Sequence, residues 1–157
     1  MPISTSYQQL KILEIQTSGK GLTDITPNID DWLRSTGIDL GILHLTCLHT
    51  SASLTVNENA DPRVLQDLSA FFSALVPENG FALPNNKGAC LTYQHNEEGP
   101  DDMPAHIKTA LTTAALSLSL HEGRLLLGAW QSVYLWEHRS QPRRRQIAMH
   151  AIGKLSH

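Results

Sequence analysis

Gly41-Ile-Leu-His-Leu-Thr-Cys-Leu-His-Thr-Ser-Ala-Ser-Leu-Thr-Val56 is the stretch around which the fold of this chain is built. Apolar and β-branched residues alternate in it with polar ones, which is typical of β-strands. The stretch predicts two strands or one bent strand. Because successive side chains point to opposite faces of a strand, one face carries Leu43, Leu45, Cys47 and His49, and the other carries His44, Thr46 and Leu48.

Three helices are predicted outside this stretch, one before it and two after it. They begin near Thr26-Pro27, Asp61-Pro62 and Met103-Pro104, because proline is favoured in the first helical turn and Thr or Asp in the capping position. Gly37 stops the first helix. Further strands are predicted over residues 7–18, 89–93, 116–120, 124–128, 130–138 and 146–152. The predicted strands outnumber the helices and do not alternate strictly with them. We therefore expect one α+β domain over residues 1–157 with a mixed, mainly antiparallel sheet.

The composition of the chain excludes several classes of function. Its formal net charge is −3, whereas nucleic-acid-binding proteins are normally basic. No apolar stretch approaches the roughly 20 residues of a membrane span, and the N-terminus lacks the basic and apolar regions of an export signal. Two cysteines are too few for a disulfide framework. We therefore expect a cytoplasmic protein that binds neither nucleic acid nor membrane.

The loop from His95 to His106 concentrates the polar chemistry of the chain. It holds two imidazoles, four carboxylates, one glycine and two prolines. Imidazole and carboxylate groups together serve metal binding and proton transfer. Asp102 and His106 are four residues apart at a helix start, so they can share a face on which the carboxylate orients the imidazole. The alternative is that Asp102 only caps the helix and that His95 is solvated.

Two other segments carry candidate functional groups. His49 ends an apolar strand beside two hydroxyls, and hydroxyls and amides at this turn could hold a phosphate; the alternative is an ordinary strand end with a capping serine. A basic turn from Arg139 to Arg145 follows His138. Paired guanidinium groups suit a phosphate or carboxylate, although such turns are more often solvated loops. His138 shares a face with Trp130 and Trp136 and so lies on a defined strand.

The chain resembles the YjbQ-like family, also known as the secondary thiamine-phosphate synthase family. The motifs that carry the resemblance span about residues 41–150. They are His49-Thr-Ser-Ala52, Asn57-Glu-Asn-Ala-Asp-Pro62, Glu98-Gly99, Asp102-Met-Pro-Ala-His-Ile-Lys108, Gly123 through Gln131, Tyr134-Leu135 and Glu137-His-Arg139.

This resemblance implies a compact α+β homotrimer with sites near its subunit interfaces. It also implies an enzyme that joins hydroxymethylpyrimidine diphosphate to a thiazole phosphate and releases pyrophosphate, as its main or a side activity. The predicted catalytic residues are His49, Glu58, Asp102 and His106. The predicted substrate-binding residues are Ser51, Asn57, Gln131 and Arg139. The predicted ligands of a divalent metal, zinc or magnesium, are His95, Glu98, His106 and His138.

Three hypotheses about function follow, each with a phosphorylated small molecule as the partner. The first is a transferase of the thiamine-phosphate synthase type. The second is a metal-dependent hydrolase in which the histidines bind zinc and Glu98 or Asp102 activates water. The third is a trimeric binding protein without enzymatic activity. Histidine ligands favour zinc, whereas a diphosphate substrate favours magnesium.

Overall fold

The computed structural model describes residues 6–85 and 88–156, and this part of the chain contains three helices and ten strands. The helices are α1 (Thr26–Thr36), α2 (Pro62–Leu75) and α3 (Asp102–Leu111). The strands are β1 (Tyr7–Gln16), β2 (Gly21–Asp24), β3 (Ile38–Cys47), β4 (Ala52–Glu58), β5 (Phe81–Ala82), β6 (Cys90–Leu91), β7 (Ala115–His121), β8 (Arg124–Leu125), β9 (Gln131–Glu137) and β10 (Arg144–Leu155).

The strands form a five-stranded sheet in the order β1-β10-β3-β7-β8, a three-stranded sheet in the order β2-β9-β4, and a small β5-β6 pair. Every pairing among the described residues is antiparallel. The predicted α+β fold with a mainly antiparallel sheet is therefore confirmed. The stretch from residue 41 to 56 forms two strands in different sheets, β3 in the larger and β4 in the smaller.

The hydrophobic core joins both sheets to α1. Leu43 and Leu45 of β3 are fully buried, as are Leu54 of β4 and Ile29 of α1, and all belong to one cluster of buried apolar residues. The predicted alternation is confirmed as far as Cys47, because His44 and the neighbouring positions of the same parity face outward. β3 ends at Cys47, so His49 lies beyond the strand and is exposed instead of continuing the buried face. Burial of one face stabilises the larger sheet by about 25 cal/mol for each Å² of apolar surface removed from water.

The helices begin close to their predicted starts. Asp61 caps α2, since its carboxylate accepts a hydrogen bond from the amide of Arg63 at 2.9 Å. α1 ends at Gly37, whose φ of 69° lies in the left-handed region that favours glycine. Asp101 precedes α3 without capping it, because its carboxylate is engaged elsewhere.

No helix among residues 6–85 and 88–156 is both long and apolar enough to cross a membrane. The expectation that the chain begins without an export signal falls partly on residues 1–5, which lie outside the described residues. Both cysteines are free thiols; Cys47 is buried and Cys90 is exposed.

Candidate metal centre and the groups around it

Asp102, the first residue of α3, is the centre of the candidate site. Its side chain is almost fully buried. Its Oδ2 lies 2.9 Å from Nε2 of His95, and its Oδ1 lies 3.6 Å from Nε2 of His106, one helical turn later. The two imidazole rings meet edge to face, with 5.3 Å between their centroids. The prediction that Asp102 and His106 share a helix face is confirmed, and His95 joins them through the loop.

His95 reaches Asp102 because the loop between them turns back at Gly99. The amide of Gly99 donates to the carbonyl of Asn96 at 3.2 Å, and the amide of Asp102 donates to the carbonyl of Gly99 at 3.3 Å. Gly99 has a φ of 117°, a conformation that L side chains rarely adopt. The loop sequence therefore supplies the turn as well as the ligands.

Arg139, which follows β9, closes the buried side of Asp102. Its Nη1 contacts Oδ1 of Asp102, and its Nη2 donates to the carbonyl of Glu98 at 2.8 Å. Its Nε lies 3.4 Å from Oδ2 of Asp101. Such charge-assisted contacts hold a carboxylate in one orientation. They leave Oδ2 of Asp102 directed at His95, whereas Oδ1 lies between Arg139 and His106.

Asp101 links this cluster to the turn after β9. Its carboxylate accepts a hydrogen bond from the amide of Ser140 at 2.7 Å. Burial opposes its ionisation, but the hydrogen bonds from Ser140 and the charge of Arg139 outweigh burial and lower the pKa of Asp101 below its usual value. Asp101 is therefore ionised near neutral pH, and the cluster carries an excess of negative charge.

The donor set of the cluster fits a divalent ion. One ligand atom each from His95, Asp102 and His106 lies within 4.8 Å of the others. Two imidazole nitrogens and one carboxylate oxygen are the ligands of many zinc sites and of open two-histidine, one-carboxylate sites. The imidazole side chains are 54% and 32% exposed, so one side of the cluster is open to solvent. Magnesium prefers an all-oxygen environment and fits this set less well.

A second cluster of buried charged and polar groups is centred on Glu137, the last residue of β9. Its Oε2 accepts from Nε of Arg145 at 2.7 Å and from the hydroxyl of Thr17 at 3.0 Å. Its Oε1 accepts from the amide of Arg139 at 3.0 Å. Burial opposes ionisation of Glu137, but the hydrogen bonds from Arg145 and Arg139 dominate and lower its pKa. Glu137 thus anchors β10 and the start of the basic turn.

His49 lies beside the group around Glu137. Its Nδ1 lies 3.0 Å from Oγ of Ser51, which also accepts a hydrogen bond from Nη2 of Arg145 at 2.8 Å. Partial burial and the charge of Arg145 lower the pKa of His49, and His106 contributes in the same direction. The imidazole of His49 is therefore neutral near pH 7 and able to accept a proton.

An open cavity of ≈ 240 Å³ lies beside His49. Its other lining residues are Leu48, Arg144, Arg145 and Gln146. Arg145 is held rigidly by Glu137, whereas the side chain of Arg144 is 67% exposed and bonds Glu14 at 2.9 Å. Two guanidinium groups and a neutral imidazole suit an anionic group such as phosphate.

The structure brings only two of the four predicted metal ligands, His95 and His106, into one group with Asp102 among the described residues. His138 is buried, and its Nε2 lies 2.9 Å from Oγ of Ser53. Burial and the charge of Lys108 lower the pKa of His138 to about 4. Glu98 contributes its backbone carbonyl to Arg139, while its side chain is exposed. Both predicted ligands therefore lie outside the three-residue group found among the described residues.

Three predicted site residues lie at the far end of the smaller sheet. Glu58 of β4 pairs with Gln131 of β9, whereas Ala52 pairs with Glu137 at the end that carries the charged groups. Six residues of strand separate the two ends, a distance of about 20 Å. Within this chain, Asn57, Glu58 and Gln131 are thus not brought to the metal cluster, because the strands carry them away from it.

The sequence predicts no site role for Asp101 or Glu137, and it gives Arg145 a role only as part of the basic turn that suits a phosphate or carboxylate. The only sequence signal for Glu137 is its place in the Glu-His-Arg motif, and its ionic partner lies eight residues away across the turn. Their functions depend on contacts between different strands and loops, which sequence spacing does not show.

The UPF0047 protein YjbQ-like family matches residues 11–154 of the chain. The UPF0047 protein sll1880 of Synechocystis is 43% identical over 152 residues, covering 97% of each chain. The UPF0047 protein YjbQ of Escherichia coli O157:H7 is 40% identical over 138 residues, which cover 87% of this chain and 92% of that protein. The crystal structure of an uncharacterized conserved protein of the yjbq/upf0047 family from Clostridium acetobutylicum matches with a TM-score of 0.74 and 30% identity, covering 88% of this chain and 97% of the other.

These comparisons confirm the resemblance to the YjbQ-like family but overturn the activity drawn from it. The relatives are described only as UPF0047 proteins, and none is assigned a thiamine-related activity. The prediction of a thiamine-phosphate synthase is therefore wrong as an assignment for this chain. A family resemblance carries a fold more securely than a reaction, because unrelated sites can occupy one fold.

Proposed function

The chain belongs to the UPF0047 protein YjbQ-like family, and we propose that it binds one divalent ion of the zinc class at His95, Asp102 and His106 and hydrolyses a small phosphorylated molecule there. The observation that carries the proposal is the convergence of two imidazoles on one buried carboxylate that Arg139 holds from behind. A divalent ion in such a site supplies Lewis acidity and lowers the pKa of water.

The residues around the cluster have complementary roles in this proposal. Arg139 keeps Asp102 oriented and limits the negative charge of the cluster. His49 is neutral and hydrogen-bonded to Ser51, so it can take up a proton during hydrolysis. Arg144 and Arg145 line the cavity beside His49, where they would hold the phosphate of the substrate.

Metal binding is tested on protein that has been treated with a chelator and then titrated with Zn²⁺ in a calorimeter. We expect one ion per chain, and we expect His95→Ala and His106→Ala each to abolish tight binding. His44→Ala is the matched control, since His44 lies on the outer face of β3 and bonds only Ser117, at 2.9 Å, among the described residues. Unchanged zinc affinity in His106→Ala would overturn the proposed site.

Hydrolysis is tested separately with p-nitrophenyl phosphate and the zinc-loaded protein. We expect turnover that requires zinc, and we expect Arg144→Met to raise KM with a smaller effect on kcat, because Arg144 binds the phosphate without taking part in bond breaking. Zinc binding without turnover on this and other phosphate esters would contradict the hydrolase and leave a metal-dependent binding protein.

Assembly as a homotrimer is part of the same proposal. Leu10, Ile12, Ile42 and Ile152 share the outer face of the larger sheet, where each is at least 42% exposed. Exposed apolar residues grouped on one face of a sheet favour association between subunits. Light scattering on the purified protein is expected to give three times the mass of the chain, and a monomer mass would contradict the trimer.

We also propose a cytoplasmic location, which the two free cysteines support.

A further inference from the structure

Lys108, in the last turn of α3, is a buried cation. The residue is 4% exposed, and among the described residues its Nζ makes no hydrogen bond or ion pair. The Nζ is nevertheless not one of the fully buried atoms without a partner among the described residues, so the charged end of the side chain stays accessible. The apolar stem of Lys108 is thus buried while its ammonium remains free to meet a ligand.

A small cavity adjoins this side chain. Lys108 lines it together with Lys20, Ser69, Phe72, Trp136 and His138, and its volume is ≈ 50 Å³. Because one water molecule needs about 10–15 Å³ of such space, the cavity has room for a group of a few heavy atoms. Two aromatic side chains form part of the wall, so the cavity is only partly polar.

None of the polar groups that line the cavity among the described residues pairs directly with Lys108, although the carboxylates of Glu78 and Asp101 lie close enough to attract its charge. The ammonium of Lys20 contacts Glu78, so that carboxylate already has a cation of its own. Glu137 is engaged by Arg145 and Thr17. The hydroxyl of Ser69 donates to the carbonyl of Leu65 at 2.8 Å. Among the described residues that line the cavity, Lys108 is therefore the lysine without a direct ion pair, and the one carboxylate, that of Glu137, is already paired.

We propose that this cavity binds a small oxyanion, a phosphate or carboxylate group, that pairs with the ammonium of Lys108. The site differs from the metal centre and from the cavity beside His49, with which it shares no lining residue. Lys108 follows His106 by two positions, about 200° around the helix, so α3 presents the two groups on opposite faces.

The test is calorimetric titration of the metal-free protein with inorganic phosphate and, in a second arm, with acetate. Both arms use the Arg144→Met variant, which removes phosphate binding beside His49. We expect saturable binding of at least one of the two anions in this background and at least a tenfold loss of affinity when Lys108→Met is added. Lys108→Arg keeps the charge and is expected to retain binding. Lys11→Met, on the exposed face of β1, is the matched control.

Three results would overturn the proposal: no saturable binding of either anion, equal affinity with and without Lys108→Met, or loss of binding in His106→Ala instead. Zinc binding is measured on the same variants and is expected to survive Lys108→Met, so failure of this site is distinguishable from failure of the metal centre. If Lys108→Met does not fold, a crystal structure of the unaltered protein grown in phosphate decides the question. Density for the anion beside Nζ supports the site, and a cavity without it refutes the site.

Discussion

This protein contains two neighbouring arginine–carboxylate pairs, Arg145 with Glu137 and Arg139 with Asp102. They differ in the exposure of the other groups that contact each carboxylate. Around Glu137, every hydrogen bond comes from a buried group, and the two side chains are 1% and 2% exposed. Around Asp102, the arginine is equally buried, but the remaining partners are the imidazoles of His95 and His106, which reach solvent.

This difference separates a structural pair from a candidate site. A carboxylate whose oxygens are all occupied by buried donors has no capacity left for a ligand, and it contributes through the groups it holds in place. A carboxylate that is held on one side and faces exposed imidazoles on the other can take part in binding an ion. Four measurements test this distinction, and they are ordered by the expected change in the free energy of unfolding.

Glu137→Ala should cause the largest loss of stability. The substitution leaves the buried guanidinium of Arg145 without its counter-charge and the hydroxyl of Thr17 without an acceptor. Removing one partner of a buried pair costs roughly 3–5 kcal/mol in the free energy of unfolding. Urea unfolding followed by circular dichroism measures the change. A loss below about 1 kcal/mol would show that Glu137 and Arg145 do not anchor β10.

His138→Gln should remove a pH dependence of stability. In the folded chain the pKa of His138 is about 4, below the value of 6.5 for an exposed imidazole, so the unfolded chain binds a proton that the folded chain does not. The contribution of His138 to the free energy of unfolding is fully present above pH 6.5. It falls by about 3 kcal/mol in all as the pH drops towards 4. The difference between the urea unfolding curves of the parent and the variant across this range measures it, and parallel pH profiles would refute it.

Zinc should stabilise the parent protein but not His106→Ala. At a free concentration one hundred times Kd, a ligand that binds only the folded state adds about 2.7 kcal/mol to the free energy of unfolding. Without metal, we expect the variant to unfold within about 1 kcal/mol of the parent, because His106 is partly exposed and not part of the core. Equal stabilisation by zinc in both proteins would place the ion elsewhere.

Glu14→Ala should have the smallest effect. Glu14 pairs with Arg144 on the surface, where the side chains are 45% and 67% exposed. Exposed ion pairs contribute about 0–1 kcal/mol, so this variant serves as the surface counterpart of Glu137→Ala. Thermal or urea unfolding under the same conditions measures both. If Glu14→Ala lost as much free energy of unfolding as Glu137→Ala, burial would not explain the difference between the two pairs.

The sequence predicted the elements well because their signals are local. Alternation along residues 41–56 gave the correct inner face of β3, and Asp61 with the following proline marked the start of α2. The pairing of Asp102 with His106 followed from helical spacing. The structure does not place His138 with the other predicted metal ligands, because Ser53 of the neighbouring strand contacts its ring nitrogen, which strand alternation alone does not show.

The amino-acid sequence alone is enough to predict the α+β class, the strand alternation, the helix starts and the residue types in the loop from residue 95 to 106, since each depends on residues a few positions apart. The positions of Arg139 behind Asp102, of Arg145 against Glu137 and of Lys108 beside a cavity follow only from the folded chain. Arg139 and Asp102 are 37 positions apart, and Thr17, which also binds Glu137, is 120 positions from it. Their partners are selected by how the sheets and α3 pack, and packing brings together residues whose order along the chain carries no record of the contact.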